Sequence, residues 1–201
     1  MGTRGVVAIK QGDSWRGVYN HYDSYPEGLG ADLFEHLQGK DLHQFAKDLM
    51  RFDDWRDYLG GGVCPYCGGV GLGQPHSISM AISEATSSGS TKFPDPERKY
   101  HKHSYDSKKR GEIKANCTPD DEKNDALWWE WVYIVDPDTA TIRILTNCMA
   151  SKLKVNGTAD YQWVEVHELP IDQKKVDWKK ISKLGTEISD QYYEKYAEKG
   201  K

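Results

Sequence analysis

Between residues 127 and 147 the chain reads LWWEWVYIVDPDTATIRILTN, a stretch that fits two strands joined by a tight turn and little else. β-branched and aromatic side chains run on both sides of Asp136-Pro137-Asp138, where a proline and two aspartates favour a turn. Any fold for this chain must contain that hairpin and cover it. Trp128, Trp129 and Trp131 place three indoles within four positions, so at least one points away from the core side.

The N-terminus carries a second hairpin signature. RGVVAIK (residues 4–10) is short and β-branched, Gln11-Gly12-Asp13 is a turn, and Trp15 to Tyr22 alternates again. On that second strand Val18, Asn20 and Tyr22 share one side and Tyr19, His21 and Asp23 the other. Pro26 ends the strand, and Gly28 and Gly30 permit a sharp turn. From Ala31 the period becomes helical: Leu33, Phe34 and Leu37 form one face and Gly39 closes it. Asp41 is an N-cap for a helix with Leu42, Phe45, Leu49, Met50 and Phe52, and Asp53 or Asp54 can cap one more turn through Trp55 and Leu59. YQWVEVHEL (residues 161–169) alternates as a strand. Asp177 caps a last helix with Trp178, Ile181, Leu184, Ile188 and Tyr192 at helical spacing. The expected fold is a single α+β domain over 1–201, with an antiparallel sheet formed by the N-terminal hairpin and the C-terminal strands and packed with helices.

Residues 60–126 break this pattern. They hold CPYCGGVGLG, the serine-rich SEATSSGS, the charged FPDPERKYHKHSYDSKKRGE and the acidic TPDDEKND. So long an irregular insertion in a compact domain needs something other than a hydrophobic core to organise it, and a metal can do so. Cys64-Pro65-Tyr66-Cys67-Gly68-Gly69 sets two thiolates three residues apart with glycines behind them, as in a zinc knuckle. A thioredoxin-like redox motif needs a strand before and a helix after the cysteines, whereas GGVGLGQPHS cannot start a helix. The pair supplies half a tetrahedral site. His101 and His103 are the first candidates for the other half, being on one side of the chain if it is extended, with Cys117 as the alternative ligand. Cys148, at the end of the hairpin, equally fits a core thiol, and an exposed CxxC beside a solvated charged loop is the bland alternative. Zinc, if bound, is expected to be structural. Cys64, Cys67, Gly69 and Gly71 also fit C-x-x-C-x-G-x-G, which resembles one zinc half-site of the cysteine-rich region of Hsp40 chaperones. That resemblance implies a zinc-binding shape, not a chaperone.

Composition narrows the partners. The formal net charge is −4 and the isoelectric point about 6.0, so no overall positive field draws nucleic acid or anionic membrane. The run KYHKHSYDSKKR could follow a phosphate backbone, but acidic stretches flank it. MGTRGVVAIKQGD lacks the apolar run of a signal peptide and no stretch reaches membrane-spanning length, so a reducing cytoplasm is expected, with thiols rather than disulfides.

RGVYNHYDSYPEGLG (residues 16–30) concentrates His21, Asp23 and Tyr25 at a strand end beside a glycine turn and a helix start, a place that can gather titratable groups around a pocket. The same residues also read as a hydrogen-bonded strand corner. MGTRGVVAIK, RGVYNHYDSYPEGLG and WEWVYIVDPDT together resemble a family of uncharacterised proteins found in phage and microbial genomes. The matching positions are Thr3, Arg4 and Gly5; Tyr19, His21, Asp23, Tyr25, Pro26, Gly28, Leu29 and Gly30; and Trp131, Tyr133 and Asp136. The resemblance implies a shared site at Arg4, His21, Asp23 and Tyr25 but no reaction. Three functions stay open: a small zinc-containing accessory or binding protein for a small molecule or a protein, with its ligand pocket at His21, Asp23 and Tyr25; a hydrolase or transferase using His21 and Asp23 as an acid–base pair; and a thiol oxidoreductase through Cys64 and Cys67. An N-terminal nucleophile is poorly served, because loss of Met1 exposes Gly2.

Overall fold

The computed structural model describes residues 3–52, 55–59, 117–119, 129–151 and 160–197. Both hairpins form where the patterns predict them. β1 (Gly5–Gln11) and β2 (Ser14–Asn20) pair antiparallel about a turn with Gly12 at φ +59°. β3 (Trp131–Asp136) pairs with β4 (Thr141–Met149), and β5 (Tyr161–Pro170) adds antiparallel to β4. In the 137–140 turn, Asp136 accepts from the Asp138 N–H at 3.0 Å and pairs with Lys10 Nζ at 2.6 Å.

The strand order is β2-β1-β3-β4-β5, so strands from both ends of the chain share one sheet, as expected. The sheet is mixed rather than antiparallel throughout, because β1 and β3 run parallel, from Gly5 beside Trp131 to Ile9 beside Val135. The chain leaves β2 at the end where β1 begins and starts β3 at that same end, on the far side of β1. A strand started there must run alongside β1. Turn signals reveal each hairpin but not how two hairpins dock.

Four helices are described: α1 (Ala31–Leu37), α2 (Leu42–Leu49), α3 (Trp55–Leu59) and α4 (Trp178–Ala197). Asp41 caps α2 by accepting from the Gln44 N–H at 3.0 Å, and Asp177 caps α4 by accepting from the Lys180 N–H at 3.1 Å. One sheet face, through Val7, Val18, Tyr133, Ile144 and Leu169, packs with Leu33, Leu37, Phe45 and Ile181 of the helices. The other face carries Val6, Ala8, Trp15, Cys117, Val132, Ile134 and Leu145, with Trp129 and Trp163 against them. Trp131 belongs to the helix side and Trp129 to the opposite side, while Trp128 lies outside the described residues.

The apolar stripe of α4 is rotated from its expected position. Gly185 is buried and Leu184 is 38% exposed. A Cβ at 185 would stand 2.1 Å from Trp131 Cη2, so the helix rests its backbone on that indole and turns the leucine outward. No described helix is long and apolar enough to cross a membrane.

Candidate functional site

Beyond Asn20 the chain turns through residues 21–25 into a single π-type turn, Pro26–Gly30, which runs directly into α1. The turn is built around Ser24, which is fully buried. Its N–H donates to Thr3 Oγ1 at 2.9 Å, and its hydroxyl accepts from Asn20 Nδ2 at 2.8 Å and donates to Asn20 O at 3.3 Å. Its carbonyl accepts from the buried Tyr133 hydroxyl at 2.7 Å. Every polar group of Ser24 therefore has a partner inside the protein, which is how such groups are tolerated away from water. Asp23 takes a left-handed φ of +50°, and its carbonyl accepts from the Leu29 N–H at 2.8 Å. A Cβ at Gly28 would lie 2.2 Å from that carbonyl oxygen, so this turn closes only over a glycine.

On this fixed corner stand the side chains singled out from the motif. His21 is half-buried, its Nδ1 shares a 2.8 Å hydrogen bond with the Tyr19 hydroxyl, and its ring meets Tyr22 edge-on at 4.3 Å. Asp23 is exposed, Tyr22 is 48% exposed and Tyr25 is 37% exposed. Tyr19, not Asp23, orients the His21 ring through Nδ1. Arg4 stands at the same end of the sheet, one residue before the Gly5–Asn20 pair, with its carbonyl accepting from the Glu130 N–H at 2.8 Å. Partial burial raises the Glu130 carboxyl above the usual range, and the Arg4 backbone hydrogen bond and charge work against that rise. His21, Asp23 and Tyr25 thus all lie in the 21–25 turn, and Arg4 is bonded through its carbonyl to Glu130, just before β3. Partial burial, with the charges of Glu35 and Asp23, raises the Asp32 carboxyl at the start of α1.

The residues that hold the corner, Thr3, Asn20, Ser24 and Tyr133, were not among the expected site residues. One signal in the sequence points to Asn20: it shares its strand side with the core residue Val18, so its amide has to find a partner indoors.

Four of the expected zinc ligands, Cys64, Cys67, His101 and His103, lie outside the described residues. Cys117 is buried against the second sheet face, and its backbone pairs with Gly17 on the outer edge of β2, through N···O contacts of 2.8 and 3.1 Å. Cys148 is fully buried, and burial pushes its thiol up to about 11, as expected of a packing residue. Among the described residues, no group of three or more His, Cys, Asp or Glu side chains could hold a metal ion.

A second histidine environment joins α1, α2 and α3. The His36 ring meets Phe45, Trp55 and Tyr58, with its Nε2 3.1 Å from the Tyr58 hydroxyl and 2.9 Å from Lys40 Nζ. Burial, then the Lys40 charge, lowers His36 to about 4, and burial, then the Asp48 charge, raises Tyr58 to about 12. Near pH 7 His36 is therefore a neutral acceptor in an aromatic cluster. Comparison with protein-family models, curated proteins and solved structures gave no match.

Proposed function

We propose that this is a small zinc-containing accessory protein of the cytoplasm that binds a small molecule or a protein at the His21–Asp23–Tyr25 corner. The observation that carries the reading is the pairing of exposed Tyr22 and Tyr25 with a backbone immobilised by the buried Ser24. Tyrosines on a rigid frame lose little freedom on contact and offer both apolar area and a hydroxyl. The acid–base alternative uses Asp23 as orienter of His21 or as an acid; the orienting contact at His21 Nδ1 is made by Tyr19, which weakens the first form of it. The zinc half of the proposal rests on Cys64, Cys67 and the glycines after them.

Two measurements test it. Elemental mass spectrometry should find about one zinc per chain, and none in a Cys64→Ser/Cys67→Ser variant. A metal-free parent would return the two thiols to redox testing. A fragment library screened by NMR should give hits that shift the His21, Tyr22 and Tyr25 signals and are lost in Tyr22→Ala/Tyr25→Ala. Hits confined to other surfaces would remove the corner as the binding site.

A further inference from the structure

We draw no further inference here: the strongest candidate, the open groove between the Pro26–Gly30 turn and the start of α4, lined by Glu27, Lys175, Asp177, Trp178 and Lys179, presents exposed charges of both signs around one half-buried indole, and nothing in the structure shows what covers it.

Discussion

Ser24 and Tyr133 are joined by the buried hydrogen bond that holds the corner to the sheet, and removing either side of it has a calculable consequence. Tyr133→Phe keeps the ring and strands the Ser24 carbonyl, which costs about 1–3 kcal/mol for a buried acceptor left without a partner. Ser24→Ala removes the hydroxyl from Asn20 at a similar cost. Because both act on the same turn, chemical denaturation of the two single variants and the double variant should show non-additivity of at least about 0.5 kcal/mol. Strict additivity would mean that the corner is not a single unit. His36 provides a pH-dependent counterpart. Its folded pKa of about 4 lies below the ordinary 6.5, so the unfolded chain binds more protons between those values. The stability that goes with neutral His36 is complete above about pH 6.5 and is lost as pH falls toward 4. With solvent reaching part of the ring, that loss is on the order of 1–2 kcal/mol. His36→Gln should be less sensitive by that amount when its denaturation midpoint is compared with the parent's at pH 7 and pH 4.5, and parallel pH profiles would show that the ring titrates normally.

α4 tests how much of an element can be read from spacing. The cap at Asp177, the helix itself and the core position Ile181 are legible in the sequence, as are the Asp41 cap of α2 and the apolar faces of α1 and α2. The exposure of Leu184 does not, because helical spacing measures which residues are apolar and says nothing about an indole arriving from β3. The same holds for the sheet: each hairpin announces itself through its turn, while the parallel docking of β1 on β3 depends on contacts between residues more than a hundred positions apart. At the corner, His21 and Asp23 stand out as chemistry-bearing types, whereas Ser24 looks like any turn serine until its burial is known. Gly185 yields the sharpest prediction at this scale. Glycine to alanine inside a helix normally stabilises by about 1 kcal/mol. Here the added Cβ would stand 2.1 Å from Trp131, and the sign should reverse. Overpacking of this kind costs about 1–3 kcal/mol, so Gly185→Ala should melt below the parent, and Gly185→Ala/Trp131→Phe, with the outer ring gone, should recover part of the loss. A higher melting temperature for the single variant would mean that α4 does not rest on that indole.

Both sheet faces are buried, but by different means, and this decides what loss of zinc should do to the whole molecule. Among the described residues, the helix side is closed by a continuous cluster running from Leu29 through α1, α2 and α3 to Ile181. The opposite side gathers Trp15, Trp129 and Trp163 around Val6, Val132 and Leu145, and it includes Cys117, the point where the chain returns to the edge of β2. If zinc organises the 60–126 insertion, as proposed, its removal loosens the segment that carries Cys117 and so acts first on this second face. The indoles there report the change directly, for Trp15 and Trp163 meet edge to face at 6.4 Å. Treatment with 1,10-phenanthroline near neutral pH should shift tryptophan emission to the red and lower the melting midpoint, while the far-ultraviolet signal of the described helices persists. The Cys64→Ser/Cys67→Ser variant should show the same emission without chelator and no further response to it. Collapse of the helical signal together with the emission would place the metal's influence on both faces. An unchanged spectrum in a parent shown to have lost its zinc would refute the structural role, because a metal that orders the insertion cannot leave without disturbing the face that the insertion meets at Cys117.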